Sequence, residues 1–171
     1  MNFKDGLLTR RSIRNYKSGI IAKEIIGDLL KTAMYAPSAK NRQPWEFIVV
    51  TDKNVLKNIK DNHPFCSFIE NAGHALIVCG NTMDEFLSGH WVTDCSAATE
   101  NFMLACHEKG LGSCWCGIWP DEGITEYFVK TFNLPEHIKP LCLVVFGYPD
   151  GSEVRQPSSR FRTDKIHYEV F

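Results

Sequence analysis

The chain has 171 residues, 44% of them hydrophobic and 23% charged, with a formal net charge of −1. That is the length of one domain able to bury a real core, and the near-neutral charge excludes a general attraction to nucleic acid or anionic membrane. No apolar run approaches the roughly 20 residues that span a bilayer and Met1–Ser12 carries no signal-peptide run, while seven scattered cysteines suit reduced thiols in a cytoplasm.

In chain order, Phe3, Leu7 and Leu8 share one side of a short helix from Asn2 to about Arg10. Ile25, Ile26, Leu29, Leu30, Ala33 and Met34 form a buried stripe on a helix from about Ala22 to Ala36, which Pro37 stops. The loop PSAKNRQP leads into a strand over Trp45–Thr51. Asp52 is a good N-cap for a helix over Lys53–Asp61. The apolar run Ala75–Gly80 reads as a strand buried on both faces, and Asn81–Gly89 as a polar loop or short helix.

The longest helix runs from about His90 to Lys109, with Trp91, Cys95, Ala98, Phe102 and Ala105 at helical spacing. Gly110 ends it as a C′ glycine. Gly112–Gly117 is a brief strand, Asp121–Phe132 a helix with acidic residues at its start, Leu141–Gly147 a buried strand and Tyr148–Gly151 a turn. Ser152–Phe171 is a polar, basic tail with few core residues of its own, expected to pack on something else such as a second subunit. With no repeat or linker, 1–171 reads as a single α+β or α/β domain around one sheet.

Four pieces could carry chemistry. Arg10, Arg11, Ser12 and Arg14 place three guanidiniums and a hydroxyl within five residues, a set that pairs with phosphate. The same cluster also reads as a solvated charge group at a helix C-terminus. Pro37–Trp45 is a proline-bounded loop whose Ser38, Asn41 and Gln43 could hydrogen-bond a polar heterocycle, or simply connect helix to strand. Gly110–Gly117 is no dinucleotide fingerprint, since Trp115 stands where a glycine is required, but Gly117 could offer its N–H to a ligand. Arg155, Arg160, Arg162 and Lys165 could form a second cationic clamp or a solvated tail. The one close cysteine pair, Cys114 and Cys116, lacks zinc-knuckle spacing, so no structural metal is expected. The six histidines are scattered and none accompanies a nucleophile elbow. His74, beside an apolar strand, reads as packed and hydrogen-bonded, and His137 and His167 as exposed.

The order RRSIRNY, APSAKNRQPW, long helix, GLGSCWCGI, SRFRTDKIHYE resembles, over nearly the whole chain, the nitroreductase family of FMN-dependent oxidoreductases. The resemblance implies an α+β, nitroreductase-like fold. A central mixed or antiparallel sheet would be flanked by helices, in an intertwined homodimer with two FMN sites at the interface. It implies that Arg10, Arg11, Ser12 and Arg14 hold the phosphate, ribityl chain and pyrimidine edge of the flavin. Pro37, Ser38, Ala39 and Asn41 would border the isoalloxazine ring from the other subunit. Trp115, Cys116 and Gly117 would run along the ring, with the Gly117 N–H near flavin N5, and Arg160 and Arg162 would close the phosphate side.

The implied reaction has two steps on one site: NAD(P)H gives hydride to N5 and leaves, then a nitroaromatic or quinone is reduced on the same face. The flavin carries this chemistry, so no acid–base side chain is required around it. Only Asn81–Gly89 stands where larger members carry a long insertion, so an open pocket is expected, and Cys114-Trp115-Cys116 is unusual beside the ring. Two competing readings are a flavin-binding protein with a storage, sensing or breakdown role, and an anion- or RNA-binding module using the arginines. The near-neutral charge and the lack of RNA-reading aromatic motifs count against the last.

Overall fold

A computed structural model describes residues 2–152 and 159–171. In chain order the elements are α1 (Phe3–Thr9), β1 (Tyr16–Lys17), α2 (Lys23–Ala33), β2 (Trp45–Val50), α3 (Lys53–Asn62), α4 (Ile69–Ala72), β3 (His74–Asn81), α5 (His90–Glu108), β4 (Gly112–Gly117), α6 (Glu122–Thr131) and β5 (Ile138–Pro149). Single 3-10 turns occur at Ala39–Asn41 and Thr163–Lys165. The helix starts follow local chemistry: the side chains of Asn2, Asp52 and Asp121 accept backbone N–H groups at the heads of α1, α3 and α6.

The strands form one five-stranded antiparallel sheet. β2 pairs with β3 and β3 with β5, while β4 pairs with the middle of β5 and β1 with its end. β3 and β5 are therefore central, and their apolar runs are buried on both faces. Leu76, Val78, Val144 and Phe146 point to a core shared with α2 and α5. The alternate residues Ala75, Ile77, Leu143 and Val145 point to a second core shared with α3, α4 and α6. Phe102 of α5 meets Phe146 edge to face at 5.2 Å and ties the long helix to the sheet.

Several sequence expectations need correction. Tyr148 and Pro149 are strand, not turn, and pair with Lys17 and Tyr16. The turn falls one step later, where Gly151 has φ +85° and Asp150 accepts the Ser152 N–H. β5 also runs through Pro140, which lies opposite Cys79 where the register shifts, a bulge that removes the demand for its missing N–H. α2 ends at Ala33, and Met34 stands at its C-cap. On α1 the apolar residues Phe3, Leu7 and Leu8 are all exposed, Phe3 at 81%, and only Gly6 is buried. β1 and α4, two and four residues long, are too short to show a period. Asn81 closes β3 and Thr82–Gly89 is a series of turns, and His137 is half-buried where exposure was expected. Every described residue from 159 to 171 is exposed. Arg155, part of the expected cationic clamp, lies outside the described residues. Among the described residues no helix is long and apolar enough to cross a membrane.

Candidate functional site

At the edge of β4 away from β3 two of the four predicted pieces meet, Arg10–Arg14 and Gly110–Gly117. Residues 142–146 of β5 pair with β3 on one side and β4 on the other, so the second edge of β4 faces outward. The segment 10–14 lies along that edge. Ser12 bridges Ser113 in parallel, and the Ile13 N–H donates to the Ser113 carbonyl at 3.0 Å. Gly112 permits this approach: a Cβ there would stand 2.8 Å from the Cβ of Ile13. Arg14 lies near enough to Cys116 for its charge to act on that thiol.

The three arginines have different local fates. Arg11 turns back, donating from Nη1 to the carbonyls of Leu8 and Arg10 at 2.9 and 2.6 Å, as in the helix-capping reading. Arg10 is held by Glu100 through Nε at 3.1 Å, with its side chain 19% exposed. Its Nη1 is buried and, among the described residues, has no hydrogen-bond partner. An unpaired buried guanidinium nitrogen is costly, and an anionic oxygen is its natural complement. The donor set therefore fits a phosphate-bearing ligand laid against β4.

Along a strand, backbone groups alternate between its two edges. Ser113 turns its carbonyl outward to Ile13, so Trp115 and Gly117 turn their backbone groups the same way. Gly117 is exposed, and nothing lies within 4 Å of where a Cβ would be. The Cys114 and Cys116 side chains point instead into the core shared with α3, α4 and α6. All seven cysteines are buried free thiols. The neighbouring Cys114 side chain and burial push the Cys116 thiol up, and burial pushes Cys66 and Cys79 to about 12, which makes these poor nucleophiles. The cysteine pair beside the edge is thus packing.

The loop from Pro37 to Pro44 stands elsewhere in the same chain. β2 and β4 are separated by β3 and β5, about 14 Å at ordinary strand spacing. The loop is rigid: Lys40, Asn41 and Gln43 all have positive φ, and the Ser38 hydroxyl accepts the Gln43 N–H at 2.9 Å. Asp94 of α5, only 6% exposed, accepts the Ala39 N–H with both oxygens at 3.1 and 3.2 Å. Pro37, Ser38, Ala39 and Asn41 are therefore held together, but not beside Gly117 of their own chain. Arg160 and Arg162 lie on the exposed tail, where Arg162 pairs with Asp164 at 2.6 Å.

Sequence reasoning missed three residues. Asp94 left a signal, the single aspartate of α5, set beside Cys95, Ala97 and Ala98. Glu100 and His63 left none, because only folding brings them to Arg10 and Gly117. His74 is as expected, buried with Nε2 accepting the Ile21 N–H and Nδ1 at 3.2 Å from the Ala72 carbonyl. A cavity of about 750 Å³ beside it, lined in part by Gly19, Thr51, Lys53 and Glu70, contains none of the predicted site residues.

Comparison with known proteins gives a consistent picture. The model of the family described as "Nitroreductase family" matches residues 7–79 and 90–148, leaving out the turns before α5. A Methanothermobacter thermautotrophicus protein, provisionally named NADH dehydrogenase/NAD(P)H nitroreductase, is 39% identical over 171 residues, 99% of this chain and 87% of that protein. A solved structure from Clostridium acetobutylicum, provisionally an NADH oxidase, superposes with a TM-score of 0.92 at 37% identity, covering 98% of this chain and 100% of that one. An FMN-dependent nitroreductase from Clostridium difficile gives 0.89 at 30% identity, covering 99% and 100%.

Proposed function

Because the chain belongs to the nitroreductase family, we propose that it is an NAD(P)H-dependent FMN oxidoreductase whose flavin lies along the outer edge of β4. One observation carries this placement: Arg10–Arg14 runs beside that edge with a buried, unsatisfied guanidinium nitrogen on Arg10. Arg10, braced by Glu100, Arg11 through its remaining nitrogens, and Ser12 bind the phosphate and ribityl oxygens. Arg14, next to Cys116, supplies positive charge at the pyrimidine edge. The Gly117 N–H faces the ring, and nothing lies within 4 Å of where a Gly117 Cβ would be. Bound FMN supplies the redox chemistry, taking hydride from NAD(P)H and passing it in a second step to a nitroaromatic or quinone that replaces the donor.

The site is completed by a second copy of the chain. β2, into which the amide loop at 37–44 leads, lies three strand spacings, about 14 Å, from β4 of its own subunit, so the loop borders a ring held by the other one. Exposed apolar residues support this assembly: Phe3 and Tyr35 are 81% and 79% exposed and line a groove of about 430 Å³ between α1, α2 and α5. Arg160 and Arg162 sit on a tail whose Phe161, Tyr168 and Phe171 also lack cover.

The test is spectroscopic. Protein reconstituted with FMN should retain a yellow flavin spectrum that bleaches under anaerobic NADH or NADPH. A chain that takes up no FMN overturns the reading, and a bound flavin that stays oxidised with both donors returns it to a non-reductase flavin binder. Arg14→Ala should weaken FMN binding about tenfold or more, the scale of a lost charge-assisted contact. Lys130→Ala, which breaks only an exposed pair with Glu126, should leave it unchanged.

A further inference from the structure

We infer that His63 is a positioning residue of the flavin site, tethering the Gly117 carbonyl and so aiming the Gly117 N–H at the outer edge of β4. The inference rests on the flavin placement proposed above. His63 leaves the end of α3 in extended conformation and is 2% exposed. Its Nδ1 accepts the Phe65 N–H at 3.2 Å, so in the neutral ring the proton sits on Nε2. Nε2 then donates to the Gly117 carbonyl at 3.0 Å. Phe65 and Phe128 each meet the imidazole edge-on at 6.1 Å, which leaves the ring little freedom to turn. Burial holds its pKa below the ordinary value and keeps it a neutral donor.

Gly117 needs such a tether. It has no Cβ and no packing around the place one would occupy. The ladder ends just beyond it, where Ile118 and Trp119 both donate to the Leu141 carbonyl, at 3.2 and 3.0 Å. The N–H and C=O of a strand residue share one edge, so fixing the carbonyl also fixes the direction of the N–H. His63 therefore meets β4 on that same edge, at the carbonyl and not at the N–H. Its role is orientation.

The test compares wild type with His63→Leu, which removes the donor, and His63→Gln, whose side-chain amide can restore it. With labelled glycine, the Gly117 amide resonance is recorded in flavin-free protein, and FMN affinity and the midpoint potential of bound flavin are then measured. His63→Leu should move the Gly117 resonance, weaken FMN about tenfold and shift the potential, and His63→Gln should recover most of each change. If His63→Leu does not fold, His63→Met serves the same comparison. Folded His63→Leu with unchanged resonance, affinity and potential overturns the inference. So does a His63→Gln variant as impaired as His63→Leu, which would make the ring a packing element. A wild-type Gly117 amide that FMN leaves unmoved overturns the flavin placement itself, even where the flavin-free spectra confirm the bond.

Discussion

At the scale of single residues, the arginine cluster shows how one motif divides its labour. Arg11 finds backbone carbonyls, Arg10 finds Glu100, and the charge of Arg14 reaches Cys116. Residue types and spacing marked the cluster as a candidate anion site, but not the division, because Glu100 comes from α5, ninety positions away. Two histidines carry a pH consequence. Burial lowers the pKa of His63, and burial followed by the charges of Arg10 and Arg11 lowers that of His107. Both regain the ordinary value of 6.5 when the chain unfolds. Below 6.5 the unfolded state binds more protons, so stability is complete above about pH 6.5 and declines as pH falls toward the lowered folded values. The urea midpoint should therefore drop between pH 7 and pH 5.5, and drop less in His63→Gln. A flat profile in wild type would contradict this.

At the scale of elements, β4 is a short strand with two different glycines. Gly112 is required by the approach of Ile13, whereas Gly117 has open space beside it. Gly112→Ala should cost about 1–3 kcal/mol of stability, the range of an overpacked contact. Gly117→Ala should change stability by no more than about 0.5 kcal/mol, as at an ordinary surface position. If the flavin lies against Gly117, that second variant should still bind FMN more weakly, so thermal unfolding and FMN titration together separate the two roles. Equal destabilisation by both would count against the geometry of this edge. The strands themselves were legible because their apolar runs are long, as in β3 and β5. Their limits were not: Pro149 looks like a turn residue until Tyr16 pairs with it.

At the scale of the whole molecule, the exposed apolar residues of α1, the end of α2 and the tail call for a second copy. Wild type should sediment as a dimer. Removal of 159–171, whose described residues are all exposed, should leave the sheet and its two cores folded while weakening dimerisation and FMN retention. A truncated chain that dimerises and binds FMN like wild type would remove the tail from the site. The sequence by itself determined the longer helices and central strands, the buried pattern of β3 and β5 and the residue types of the arginine cluster, because hydrophobic period, capping and charge are local properties. Only the tertiary structure decided that Arg10–Arg14 lies on β4, that the 37–44 loop stands three strands away from it, and that His63 meets Gly117. Those are contacts between distant segments, set by strand pairing and side-chain packing, and no local pattern encodes them.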